Sequence, residues 1–311
     1  MALASRPLVP SRLGVILGHG DRGVATTRVA GFVALTKPRI IELLLVTTIP
    51  AMIVAADGWP GTWLVIATLI GGTLAAGGAN AINMVVDRDI DRLMPRTQHR
   101  PLVTGIVAPG EALVFALALE AVAFVWLALV VNLLSAVLAL SATLFYVFVY
   151  TLWLKRTSRQ NIVIGGAAGA VPVLVGWAAV TGSLAWAPFV MFLVIFLWTP
   201  PHFWALAIRY ADDYRAADVP MLPSVVGSQQ AAGPILRYTV ALVAASLVLA
   251  PVAHLGLIYM IAAAATGLGF IALAVRLRRA ATTANAMRLF TYSISYVTLL
   301  FAAMAVDVLV R

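Results

Sequence analysis

Apolar runs of about twenty residues, the length an α-helix needs to cross roughly 30 Å of hydrocarbon, follow one another along nearly the whole chain. Nine can be set out, near residues 38–57, 61–84, 110–131, 133–154, 162–181, 184–208, 234–256, 257–275 and 289–310. None alternates apolar and polar positions as a barrel strand does, and a segment in lipid must satisfy its own backbone hydrogen bonds, which a helix achieves alone. The pattern predicts an all-α polytopic membrane protein with nine transmembrane helices. Residues 1–35 form a polar tail, and 36–311 a single membrane domain whose two long polar loops, 85–109 and 209–233, hint at related halves at about 36–155 and 156–311.

Composition sharpens this picture. With 62% hydrophobic and 11% charged residues, the chain is no ordinary soluble domain. The net charge of +9 would suit a nucleic-acid partner, but the basic residues sit between apolar spans and not on a soluble face. They gather before the first span and in 85–109, 155–161, 209–237 and 276–288, while the intervening gaps carry none and Arg311 stands alone on the other side. By the positive-inside rule the N-terminus is cytoplasmic. The tail lacks a convincing secretory h-region, and its shortness favours a bacterial plasma membrane over a mitochondrial inner membrane. Cysteine is absent, which excludes disulfides and thiolate metal sites.

Chemistry concentrates in three stretches. In NAINMVVDRDIDRLMPRTQHRPLVTG, Asn80 to Gly105, the side chains of Asn83, Asp87 and Asp91 recur every four residues, forming one polar stripe if the helix continues. Such oxygen donors suit Mg²⁺ bridging to a diphosphate, and Arg96 and Arg100 follow with guanidinium groups matched to phosphate oxygens. A solvated, charge-balanced helix end is the bland alternative. Against it stands the mutual repulsion of three nearby carboxylates beside an apolar span. Asp89 points off the stripe, towards Arg88 or Arg92. The second stretch runs from Tyr150 to Asn161, where Lys155 and Arg156 could reach the same diphosphate or serve, with Arg159, as topology anchors. In the third, Phe196 to Gly227, Asp212, Asp213 and Asp218 end a span as the first acids do. Pro200 and Pro201 should kink that span. His202 could ligate haem iron, hydrogen-bond an acceptor, or be satisfied by a neighbouring helix. Glu42 and Glu120 lie inside spans without an identifiable partner, and Asp307 falls near the outer end of the last span, where water should reach it.

The pattern Asn83-x-x-x-Asp87-x-x-x-Asp91 resembles the first aspartate motif of the intramembrane prenyltransferases that include 4-hydroxybenzoate polyprenyltransferase. DRDIDRLMPRTQHRPL, LKRTSRQNIVIGGAAGAVPVLVGWAAVTG and WTPPHFWALAIRYADDYRAADVPMLP look like that superfamily's protohaem-farnesylating branch, over residues 35–230. The resemblance implies a helical bundle around a central cavity, with Mg²⁺ as cofactor and farnesyl diphosphate and haem b as substrates. It implies haem O as product and a haem A synthase or terminal oxidase as assembly partner. Asn83, Asp87 and Asp91 would then hold the metal diphosphate, with Asp213 joining Asp87 and Asp91 as metal ligand. Arg96, Arg100, Lys155 and Arg156 would meet its charge, and Asp213 with Tyr214 would form the second acidic loop. Tyr150 and His202 are further candidates for substrate contact. The family's second motif spaces its acids by four, whereas Asp213 and Asp218 are five apart, so Asp218 is not carried over as a ligand. A transporter and a prenyltransferase for an aromatic quinone precursor are the competing classes.

Overall fold

The computed structural model describes residues 20–311, and among these the side chains of 27–38 and 46–311; the Glu42 side chain lies outside that set. Among the described residues every regular element is helical. α1 (Gly20–Leu35) occupies the later part of the expected tail, and Lys37, in the left-handed region at φ 52°, turns the chain into α2 (Pro38–Ala56), whose first residue is a proline with no amide to orphan. α3 (Thr62–Val86), α4 (Arg88–Asp91) and α5 (Pro101–Thr104) carry the first acidic stretch. α6 (Pro109–Trp126) runs on through a π turn to Val131, and α7 (Leu133–Leu144) continues as a π-helical segment, Phe145–Leu154, into α8 (Lys155–Thr157). The remaining elements are α9 (Asn161–Thr181), α10 (Trp186–Arg209), α11 (Ala211–Ala216), α12 (Leu222–Val226), α13 (Ser228–Val252), α14 (Leu257–Arg279) and α15 (Thr283–Leu309).

Among the described residues eight helices are long and apolar enough to span a bilayer, beginning with α3; α2 lies at the first expected span, 38–57, and its described apolar part covers only Val46–Ala56. The junction expected at residue 132 is sharp. Asn132 adopts extended backbone, accepts the Ser135 amide at 2.8 Å as an N-cap, and donates across to the Ala178 carbonyl at 2.7 Å. α13 and α15 begin about a turn and a half before their apolar runs, because SQQAAG and TANAMR are polar helix that hydropathy cannot detect. α10 remains one helix through Pro200 and Pro201.

Contacts between α2 and α9, α9 and α10, α10 and α15, and α15 and α2 close a four-helix ring, against which α13 and α14 pack. This half holds one continuous apolar core that includes Trp204, Phe270, Tyr296 and Phe301. α3, α6 and α7 form a thinner wall with small apolar clusters. Leu129, Trp186, Leu257 and Val114 stand fully open on the outside, as side chains solvated by lipid would. Two intramembrane acids are tied in. Glu120 accepts from Thr143 Oγ1 at 3.1 Å, and α3 approaches it so closely at Gly78 that a Cβ there would meet the carboxylate at 2.7 Å. Asp307, expected to be solvated, is instead buried and accepts the amides of Gly256 at 2.6 Å and Tyr259 at 3.2 Å. The start of α14 leaves those amides without intrahelical partners, and the carboxylate supplies them.

Candidate active site

α3 ends at Val86, and Asp87 caps it at φ −84°, ψ 1°. The expected stripe therefore bends, although the Asp91 amide still reaches the Asp87 carbonyl at 2.9 Å and keeps the four-residue register. Asp87 and Asp91 are wholly buried. Asn83 Nδ2 donates to Asp87 Oδ2 at 2.8 Å and to Thr151 Oγ1 at 3.1 Å. Thr151 belongs to the π-helical segment and in turn donates to the Tyr146 carbonyl at 2.8 Å. π-helical turns often mark functional sites, and this one presents Thr151 to Asn83 and carries Tyr146 and Tyr150, whose rings stack at 5.3 Å. Gly165 of α9 lies so close to Tyr150 that a Cβ would come within 2.2 Å of the ring.

Basic side chains close on these acids. Lys155 pairs with Asp87, and Arg100 with Asp91 at 2.6 Å. Arg156 is engaged elsewhere: it grips Asp89 with two bonds of 2.7 Å, reaches the Val86 carbonyl at 3.1 Å, and stands 3.9 Å from Asp87. Asp89 was expected to pair with Arg88 or Arg92; the break at Asp87 instead turns it towards α8, where Arg156 holds its carboxyl down to about 2.

The second acidic stretch meets the first through Arg96. Its Nη2 donates to the Tyr214 hydroxyl at 3.3 Å, its guanidinium lies over the rings of Tyr214 and Tyr210, and its Nε is 3.9 Å from Asp213. Burial pushes the Tyr214 phenol up, so it stays protonated. Asp212 faces solvent and pairs within its own turn with Arg215, and Asp218 is exposed at φ 51°. Tyr150 lies within electrostatic reach of Asp87, Arg96 and Tyr214. His202 lies apart from this cluster of charge, bonded to Ser293 on α15.

Five buried side-chain atoms among the described residues lack a hydrogen-bond partner, and two of them belong to this cluster of acids and bases. Asp87 Oδ1 is a buried acceptor, and Arg96 Nε a buried donor, each without a hydrogen-bond partner. Such groups cost free energy unless something pairs with them. A cation satisfies the first and an anion the second, so a metal diphosphate fits this donor set. Among the described residues no three acidic or histidine side chains converge on one point. Asp87, Asp91 and Asp213 are each drawn instead to a basic partner, as mutually repelling carboxylates are.

The UbiA prenyltransferase family profile matches residues 44–302. The chain belongs to the UbiA prenyltransferase family. It is 54% identical over 288 residues to a protein named protoheme IX farnesyltransferase from Clavibacter michiganensis subsp. michiganensis, covering 92% of this chain and 94% of that one. It is 51% identical over 308 residues to the protein of the same name from a Parafrankia species, covering 98% of each. Among solved structures, one titled for digeranylgeranylglyceryl phosphate synthase superposes with a TM-score of 0.76 at 18% identity, covering 91% of this chain and 99% of that one. A UbiA homolog from Archaeoglobus fulgidus, solved bound to GPP and Mg²⁺, superposes with a TM-score of 0.61 at 17% identity, covering 88% and 99%. At these identities the structures bear on the fold alone.

In this UbiA family member Thr151, Tyr146 and Lys37 escaped sequence reasoning. Lys37, counted there only as a topology charge, donates to Asn83 Oδ1 at 2.8 Å. Burial, reinforced by Arg100 and Lys155 and opposed by Asp87 and Asp91, pushes its ammonium from 10.5 down to about 7. Its position just before Pro38, at the cytoplasmic start expected for the first span, was the available signal.

Proposed function

We propose that this chain transfers farnesyl from farnesyl diphosphate to a vinyl group of haem b, with addition of water, giving haem O and diphosphate. The observation that carries the prenyl-diphosphate half of this reading is the pair of orphaned buried atoms, Asp87 Oδ1 and Arg96 Nε. The haem half is supported by the names of relatives at 51–55% identity. Mg²⁺, held by Asp87, Asp91 and Asp213, would neutralise charge on the departing diphosphate.

The chain's own residues do the rest. Asn83 is fixed by Lys37, Asp87 and Thr151 and orients Asp87 towards the leaving group. Lys155 and Arg100, which stand against Asp87 and Asp91, would present their charge to diphosphate oxygens. Arg96 supplies its free Nε–H. Tyr146 and Tyr150 border the place where an allylic cation would form, and aromatic faces stabilise positive charge while excluding water. No nucleophilic side chain is required. The distribution of basic loops supports a cytoplasmic site in a bacterial plasma membrane.

The test is incubation of purified protein with haem b, farnesyl diphosphate and Mg²⁺, with and without EDTA, followed by chromatography and mass spectrometry of the haem. A metal-dependent gain of the farnesyl and hydroxyl mass, lost in Asp87→Asn, is the expected result. Prenylation of an aromatic acid in place of haem would move the chain to the quinone-precursor branch.

A further inference from the structure

His202 sits in α10 two turns inside Arg209, about 10 Å along the axis below the charged rim. It is 7% exposed and has unusually defined surroundings. Nδ1 lies 2.7 Å from Ser293 Oγ, which is wholly buried. The Ser293 hydroxyl donates its single proton to the Phe290 carbonyl at 2.6 Å, and the Ser293 carbonyl is held by Trp198 Nε1 at 2.7 Å. Ser293 can therefore only accept from His202, which places the imidazole proton on Nδ1 and a lone pair on Nε2. Nε2 has no hydrogen-bond partner among the described residues. The ring stacks on Trp198 at 4.2 Å and on Phe290 at 4.6 Å, with Phe203 edge-on at 5.0 Å.

We infer that His202 Nε2 is the base that holds and deprotonates the water consumed in the reaction, with Ser293 as the positioning residue that fixes its tautomer. The inference rests on the proposed function. In that reaction the vinyl π-electrons form the new C–C bond at farnesyl C1 while the C1–O bond breaks and its pair leaves with diphosphate. The positive charge then rests on the carbon next to the pyrrole ring. A water lone pair forms the C–O bond there, and the proton it sheds passes to Nε2 and from there to solvent or diphosphate. A site that keeps an allylic cation from hydrolysis must exclude bulk water, so the one water it needs has to be held by a specific acceptor. The link to the charged site runs through α9: Gly165 packs on Tyr150, and the next residue, Gly166, packs on Thr199, one turn before His202.

The cation has another outlet. Without a base at the water it loses a proton from the neighbouring carbon, giving an alkene lighter than haem O by one water. The test is the ratio of hydrated to dehydrated farnesyl haem, read by mass spectrometry from full-length wild type, His202→Phe, His202→Gln and Ser293→Ala. His202→Phe keeps the stacking and removes the base, and is expected to shift the ratio towards the alkene by roughly tenfold or more. His202→Gln, with an amide oxygen near the position of Nε2, should restore part of the hydration, and Ser293→Ala should shift the ratio less than His202→Phe. A wild-type ratio in both His202→Phe and Ser293→Ala overturns the inference, as does a Soret band of bound haem that changes in His202→Phe while the ratio does not. Wild type that makes no farnesylated haem of either mass overturns the underlying function, and the inference falls with it.

Discussion

The two acidic elements differ in how they are held. On the first, Asp87 and Asp91 are buried, and each is matched by a basic group delivered from elsewhere: Lys155 after the π-helical segment, Arg100 from the end of the same loop. On the second, Asp213 is partly exposed and meets Arg96 only at 3.9 Å, while Asp212 and Asp218 face solvent. A buried carboxylate paired with a basic group is held in place before substrate arrives, and preorganised charge does most for a transition state. An exposed, loosely paired one is free to adjust. In the proposed reaction the first element would serve as a platform and the second as a closing arm.

That contrast can be broken at several points. Asp87→Asn removes the negative charge opposite Lys155 and replaces one carboxylate oxygen with an amide nitrogen, so farnesyl transfer should fall by roughly 10³-fold or more, measured as initial rate of farnesylated haem. Lys155→Met should cost about 10²-fold in kcat/KM, and the double variant should lose far less than the product of the two, because the groups act as a pair. Equal additivity would show that Lys155 only anchors the span. Asp213→Asn should act mainly on the KM for the prenyl diphosphate, by about tenfold; a loss in kcat as large as that of Asp87→Asn would erase the distinction between platform and arm.

Lys37 gives the contrast a pH dependence. Its ammonium is pushed from 10.5 to about 7, so between those values the unfolded chain binds more protons than the folded one, and ligand-free stability rises with pH. A bound diphosphate favours the charged form, so binding takes up a proton in that window and weakens as pH rises above 7. Calorimetry of diphosphate binding in buffers of different ionisation heat should show the uptake, and Lys37→Met should abolish it. The smallest effect belongs to Asp218→Asn, expected to stay within about twofold of wild type, as exposed positions do; a larger loss would bring Asp218 back as a ligand.

Eight of the spans, the junction at Asn132, the four-residue register of Asn83, Asp87 and Asp91, and Lys155 and Arg100 as basic residues near it could be read from the chain. Each depends on a local quantity: the transfer cost of about twenty consecutive side chains, the 3.6-residue period, or the density of charge between spans. Partnership depends on none of these. Asp89 joins Arg156 because the helix breaks at Asp87, Asp307 is buried because α14 starts beside it, and Lys37 reaches Asn83 across 46 residues. His202 finds Ser293 across 91. Which side chains meet is decided by how helices rotate and cross when they pack, and that geometry exists only once the whole bundle has formed.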